Sequence, residues 1–279
     1  MDLYEEIVRL RAAGAPAALC TVLLARGSTP GKETMKMLVR ADGTTLGSIG
    51  GGCVEEDCRR LALEVIAEDR AATRTFHLNQ KDLPESGLIC GGQVTVLVEP
   101  VVPPTLVLFG GGHVAGSAVR VARECGWRTV VCDDRREYAD PAKHPLADRC
   151  LAGPWADAVA GLAPAEHLWM VVATRGHTDD LAVLRELAAR ECRPRYLGLL
   201  GSRAKKATLE RILADEGVDP DFIARIRTPI GLPIGSRTAG EIAVSLMAEL
   251  VRIRRLGEKG GLERDPAGDK SGVREPEPR

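Results

Sequence analysis

Thr105-Leu106-Val107-Leu108-Phe109-Gly110-Gly111-Gly112-His113-Val114-Ala115 is the stretch that decides the fold of this chain. The run up to Phe109 is short and apolar with no polar alternation, which reads as a strand covered on both faces of a parallel sheet. Three glycines then lead into a segment of helical apolar spacing. The whole fits Gly-x-Gly-x-x-Ala in the strand–turn–helix context that the dinucleotide-binding fingerprint requires. Gly110 permits the tight turn, Gly112 lets backbone approach a ligand, and small Ala115 lets helix and strand pack closely. Together with Gly111 and His113 they would aim N–H groups at an anion. Packing alone can also demand a glycine-rich turn.

Further strands read at Arg128–Cys132, His167–Ala173 and Tyr196–Leu200, with a weaker one near Arg149–Leu151. They alternate with helices at His113–Cys125, Asp179–Arg190, Arg203–Glu216 and Ala239–Arg255, the last opened by a Thr238-x-x-Glu241 capping box. This alternation predicts an α/β domain, a Rossmann-like parallel sheet with helices on both faces. Loops at the carboxyl ends of such strands share one edge, and ligands bind there. In this chain they are Gly110-Gly111-Gly112-His113, Asp133-Asp134-Arg135-Arg136, Thr174-Arg175-Gly176-His177 and Gly201-Ser202-Arg203. Such a set suits a ligand with several anionic groups. Asp133 stands where an acidic side chain would meet a ribose hydroxyl, and Asp134 is an equal candidate. Ser202 can instead be only an N-cap, with Arg203, Lys205 and Lys206 a solvated face, the reading taken for the two lysines. His113 and His177 can be acid–base groups, phosphate donors or metal ligands, or hydrogen-bonded structural residues. His77, His144 and His167 have no comparable setting.

Val101-Val102-Pro103-Pro104 resists helix and central strand, so residues 101–104 read as a linker between domains at 1–100 and 105–256. From Gly257 to Arg279, Gly, Pro and charges dominate and predict a disordered tail. The first domain reads as a smaller α+β unit. It has a helix over Leu3–Ala13, strands at Leu19–Leu24 and Lys36–Arg40, an Asp42-Gly43 hairpin turn returning through Thr45–Ile49, an amphipathic helix over Val54–Glu68 and a strand at Val94–Val98. Its strand order does not follow from the sequence.

The 279 residues are 44% hydrophobic and 28% charged, enough to bury a sizeable core. Lys plus Arg number 38 against 39 Asp plus Glu, a formal charge of -1 that gives no overall attraction to nucleic acid or an anionic membrane. No apolar run reaches the roughly 18 residues of a membrane span, and Met1–Glu6 lacks the pattern of a secretion signal, so a cytoplasmic location is expected. Eight cysteines without a Cys-x-x-Cys pair do not look like a disulfide framework, and Cys58, Cys125 and Cys192 are expected in the core. Two others lie in glycine loops. Cys53 follows Gly50-Gly51-Gly52 where a helix should begin, a place that stabilises thiolate, and Cys90 precedes Gly91-Gly92. Each is a reactive or ligand-holding sulfur, or else a buried inert thiol.

These segments together resemble the XdhC/CoxI family, accessory factors that mature molybdenum hydroxylases such as xanthine dehydrogenase. The carriers are Gly27-Ser28-Thr29-Pro30, Lys36-Met37-Leu38-Val39, Gly47 to Glu55, Cys90-Gly91-Gly92, Gly110 to Ala115, Thr174 to His177, Gly198 to Arg203 and Pro229 to Gly235. The resemblance implies a CoxI-like domain followed by a Rossmann domain. It further implies a protein that binds molybdenum cofactor (molybdopterin, in mononucleotide or dinucleotide form) and assists its sulfuration and insertion into an apo-hydroxylase. A cysteine desulfurase-type sulfur donor and a homodimer are the partners so implied, with Arg175, His177 and Arg203 as anion or pterin contacts and Cys53 or Cys90 facing molybdenum or carrying sulfur. The chain departs from the family after Thr29-Pro30, where Gly31-Lys32-Glu33-Thr34-Met35 replaces an Arg and a Pro-Gly pair. Ser236 to Glu241 likewise lacks a Pro-Glu pair.

Three functions remain on these grounds. A cofactor-binding chaperone stands first, with no catalytic residue assigned. An NAD(P)-dependent oxidoreductase would use the same turn and Asp133, but no separate catalytic domain follows the Rossmann unit. A ligand-free scaffold is opposed by four polar loops on one edge.

Overall fold

The computed structural model describes residues 2–78, 92–162 and 166–257. Its first part opens with α1 (Leu3–Ala13), capped by a reciprocal Asp2/Glu5 box and closed by Gly14 at φ 68°. Then come β1 (Ala17–Arg26), β2 (Lys36–Arg40), β3 (Thr45–Gly47), α2 (Cys53–Glu68), β4 (Ala72–His77) and β5 (Gln93–Pro100). The strands form one antiparallel sheet in the order β3-β2-β1-β5-β4. Alternation along β1 and β2 sorts the side chains. Ala18, Cys20, Val22, Met37 and Val39 face Val54, Cys58, Leu61 and Val65 of α2. Ala17 and Leu38 face Leu10 of α1 on the other side.

The second part contains β6 (Thr105–Phe109), α3 (His113–Glu124), β7 (Arg128–Asp133), β8 (Arg149–Ala152), α4 (Trp155–Ala160), β9 (Leu168–Val172) and α5 (His177–Ala189). It ends with β10 (Tyr196–Leu199), α6 (Arg203–Asp215), α7 (Pro220–Ala224), β11 (Ile226–Arg227) and α8 (Ala239–Leu256). All pairings are parallel and the order is β11-β10-β9-β6-β7-β8. This is the doubly wound arrangement, and the order reverses between β6 and β9. Every residue of β6 is buried, since both faces are covered. Leu106 and Leu108 pack beneath α3 and α8, while Val107 and Phe109 pack beneath α4, α5 and α6. Full burial of each such side chain is worth about 1.5–3 kcal/mol.

Several expectations change. β4, α4, α7 and β11 were absent from the sequence reading; they are short, and β4 shows a mostly exposed face. The return strand stops at Gly47, because Ile49 turns into the core at 1% exposure. Cys125, expected inside, is exposed at the end of α3, whereas Cys58 is buried and Cys192 half-buried. Apart from Gly257, the tail expected from 257 to 279 lies outside the described residues, as does Cys90. No helix among the described residues is long and apolar enough to cross a membrane.

The two parts meet at the amino-terminal edge of the parallel sheet. Arg195, just before β10, donates to the carbonyls of Ala67 (2.7 Å) and Glu68 (2.6 Å) at the end of α2. Arg254 of α8 pairs with Asp69, and Arg128 at the start of β7 donates to the Arg11 carbonyl.

Candidate functional site

The glycine turn after β6 divides into two kinds of glycine. Gly110 has φ 112°, and a Cβ there would lie 2.2 Å from the Ala173 carbonyl oxygen. A Cβ on Gly111 would lie 1.9 Å from the Tyr138 carbonyl oxygen. Packing therefore requires both. Gly112 differs: its φ of -78° suits any residue, and a Cβ would meet nothing within 4 Å. It caps α3 with no side-chain hydrogen bond, so the cap residue provides no side-chain acceptor for the first-turn N–H groups, which have no intrahelical one.

Gly176 repeats this arrangement one strand away. It caps α5 without a side-chain hydrogen bond, its backbone is fully extended, and a Cβ would meet nothing within 4 Å. Because β6 and β9 are neighbours, these two uncapped helix starts flank the crevice where the strand order reverses. His113 and His177 are the first helical residues and both are exposed. Beside His177 a cleft of about 480 Å³ is lined by His177, Lys205, Thr208 and Leu209. Gly201, Ser202 and Arg203 carry the chain into α6 on its far side. Ser202 is the N-cap, accepting the Lys205 N–H at 3.2 Å, and Arg203 is exposed.

Asp133 is not available to a ribose. It is 2% exposed, accepts the Gly111 N–H (2.8 Å) through Oδ2, and accepts the Arg135 N–H (3.0 Å) and guanidinium (3.1 Å) through Oδ1. Burial opposes its ionisation, but these donors outweigh burial and hold its pKa below the usual carboxylate range. The Gly111 N–H, expected to meet an anion, is thus occupied by this carboxylate. Asp134 is also engaged: Arg175 donates to it at 2.9 Å and pairs with Asp179 at 2.7 Å. Since β7 and β9 flank β6, the Arg175–Asp134 pair spans the strand that carries the glycine turn. Burial, then the neighbouring Asp133, push the Asp134 pKa up, and Arg175 counters them.

Three supporting residues escaped the sequence reading. His144 is 3% exposed and its Nε2 lies 3.1 Å from the Gly111 carbonyl oxygen and 2.9 Å from that of Tyr138. Both partners are acceptors, so Nε2 carries the proton. Asp180, 0% exposed, accepts the Thr174 hydroxyl (2.7 Å) and N–H (3.2 Å) and pairs with Lys205. Lys205, read as a solvated residue, therefore pins α6 to the α5 loop, and it also donates to the Leu200 carbonyl at 3.0 Å. A first-turn Asp is ordinarily a solvated helix-dipole partner, and nothing local in the sequence distinguishes Asp180 from that.

The Cys53 loop is built differently. Gly50, Gly51 and Gly52 all have positive φ (118°, 83° and 71°), which glycine alone adopts easily. Glu55 Oε1 accepts the Ser48 hydroxyl (2.5 Å) and the N–H groups of Gly51 (2.8 Å) and Ile49 (3.0 Å). Burial opposes ionisation of Glu55, yet these donors leave its pKa lowered. The loop is closed around its own carboxylate and packed on Gly31, whose Cβ would fall 2.3 Å from the Ile49 carbonyl oxygen. Cys53 is half-buried at the start of α2, with Gly52 giving no side-chain cap.

The end of α2 touches the amino-terminal edge of the parallel sheet, Cys53 stands at the other end of that 16-residue helix, and the glycine turn lies at the carboxyl-terminal end of β6. Among the described residues no cluster of three His, Cys, Asp or Glu side chains could hold a metal ion.

A doubly wound sheet with two uncapped helix starts at its switch point defines a Rossmann-type protein. Comparison with known proteins narrows the class: the XdhC Rossmann domain matches residues 106–250, and the XdhC and CoxI family matches residues 10–77. The chain belongs to the XdhC and CoxI family. It is 33% identical over 271 residues to YqeB of Escherichia coli, covering 96% of this chain and 49% of that one. A Bacillus subtilis protein, named as a probable component of xanthine dehydrogenase, is 29% identical over 158 residues, covering 57% of this chain and 44% of that protein. The chain thus spans about half the length of these two relatives. The Escherichia coli molybdenum cofactor insertion chaperone PaoD is 26% identical over 270 residues, covering 86% and 84% of the two chains.

Proposed function

We propose that this protein is a maturation factor that holds the phosphate end of molybdenum cofactor in the crevice between α3 and α5 and passes the cofactor to an apo molybdenum hydroxylase. The observation that carries the reading is the pair Gly112 and Gly176. Both cap helices that lack a side-chain cap, both leave open space where a Cβ would stand, and they are on adjacent strands. Phosphate oxygens fit that space, accepting from first-turn N–H groups in the positive field of two helix ends. Two helix starts suit two phosphates, which favours the dinucleotide form. His113, His177 and Arg203 would add donors, and the cleft of about 480 Å³ beside His177 would take the pterin. Arg175 would join them by exchanging Asp134 for a ligand oxygen.

The molybdenum hydroxylase client rests on the names of PaoD and the Bacillus subtilis relative. Cys53 enters this reading only on a separate surface, where a cysteine desulfurase-type donor, the client or a second copy of the chain would have to meet it. The nicotinamide alternative is disfavoured by Asp133, whose buried carboxylate is engaged by the Gly111 N–H and Arg135 and is not free for a ribose hydroxyl. In cells making molybdopterin, the purified protein should release a fluorescent pterin on acid oxidation and a Gly112→Asp variant should not. Pterin-free wild type from such cells would overturn the proposal.

A further inference from the structure

A second cavity lies between the two domains, at the sheet edge opposite the glycine turn. Its volume is about 360 Å³, inside the range of small-molecule sites at roughly 300–1,000 Å³. Most of its wall is apolar, with Leu10 and Ala13 contributed by α1 and Val130, Leu162 and Leu168 by the second domain. Three guanidiniums interrupt that wall, those of Arg40, Arg128 and Arg149. Arg149 lines the cavity, is exposed, and meets no carboxylate among the described residues. Arg128 donates one N–H to the Arg11 carbonyl, while its Nε is buried and has no acceptor among the described residues.

The carboxylates around this pair are engaged in part. Arg40 is answered by Glu6 at 2.8 Å. Asp42 accepts the Thr44 N–H (2.9 Å) and hydroxyl (2.6 Å). Asp148 forms a long ion pair with Arg128 at 3.9 Å and accepts the Thr129 N–H at 2.8 Å, while Arg149 has no such partner among the described residues. His167 lies on the same wall, and burial lowers its pKa.

A planar guanidinium matches a carboxylate in geometry. We propose that this interdomain cavity binds a small monocarboxylate with an apolar body, its carboxylate on Arg149 and Arg128 and its body against Leu10, Leu162 and Leu168. The occupant would touch both domains beside the 101–104 linker, so its binding is coupled to how the domains sit together. The cavity is distant from the phosphate crevice, and its occupancy does not depend on the cofactor reading.

Calorimetric titration of the full chain with benzoate, with methyl benzoate as the neutral counterpart, tests the site. Saturable one-to-one benzoate binding is expected, with methyl benzoate at least about tenfold weaker. Arg149→Ala should weaken benzoate about tenfold or more, and Ala13→Phe, which fills the cavity from the exposed end of α1, should abolish binding while both variants keep the wild-type circular dichroism. Absence of saturable benzoate binding at millimolar concentration, equal binding of the ester, or undiminished binding by both folded variants would overturn the proposal.

Discussion

Replacing Gly111 and Gly112 one at a time should separate packing from ligand binding across a single peptide bond. Gly111→Ala places a Cβ 1.9 Å from the Tyr138 carbonyl oxygen and 3.2 Å from His144 Nε2. Backbone cannot yield cheaply there, and overpacking of this kind costs about 1–3 kcal/mol, lowering the melting temperature by roughly 2–4 °C for each kcal/mol in a chain of this size. Gly112→Ser meets no atom within 4 Å, and the residue keeps the extended backbone of an N-cap. Serine caps better than glycine by a few tenths of a kcal/mol, so the ligand-free variant should melt no lower than wild type and up to about 1 °C higher. Its hydroxyl would occupy the space assigned to phosphate and bond the N–H groups meant for the ligand. Calorimetric scans with a pterin-release assay would read both effects: Gly112→Ser at least as stable and carrying about tenfold less pterin, Gly111→Ala clearly less stable. Full pterin loading of Gly112→Ser, or an unchanged melting temperature in Gly111→Ala, would refute the division between the two glycines.

Lys205→Met should cost about 2–4 kcal/mol, because it strands the buried Asp180 carboxylate; adding Asp180→Asn should recover part of that loss in a double-mutant cycle, and additivity would count against the pairing. Glu6 is buried under Arg9 and Arg40, whose hydrogen bonds lower its pKa from an ordinary 4.5 to about 2. A lowered carboxylate stabilises the fold fully above its unfolded pKa and loses that contribution as pH falls through the folded one. The melting-temperature gap between wild type and Glu6→Gln should therefore be constant above about pH 5 and close between about pH 4.5 and 2, and a gap independent of pH would contradict the assignment. Arg254→Met removes the partner of Asp69, at side-chain exposures of 15% and 11%, and should cost about 2–4 kcal/mol, read as earlier thermal unfolding; an unaltered transition would remove this pair from the domain contact.

The sequence carried most of the second domain because its signals are local. The buried strand over Thr105–Phe109, the glycine turn and the Thr238/Glu241 box each occupy a few consecutive residues, and the helix and strand bounds follow. The antiparallel strand order was not legible, since it depends on pairing β1 with β5 across more than fifty residues. The site was legible as a set of loops on one edge and illegible as chemistry. Which glycine is open and which is packed depends on Tyr138 and Ala173, both remote in sequence. Asp133 fits the ribose position by spacing, yet Arg135 and the Gly111 N–H turn it inward. His144 and Asp180 were missed for the same reason, because their partners are carbonyls and loops brought together only by the fold.

Equilibrium titration of the purified apo-protein with molybdenum cofactor released anaerobically from a molybdenum enzyme, set beside titration with NADH, tests the central claim most directly. Saturable one-to-one binding of the cofactor, lost in Gly112→Asp and not matched by NADH, is the predicted result. Saturable binding of NADH with no uptake of the cofactor would contradict it.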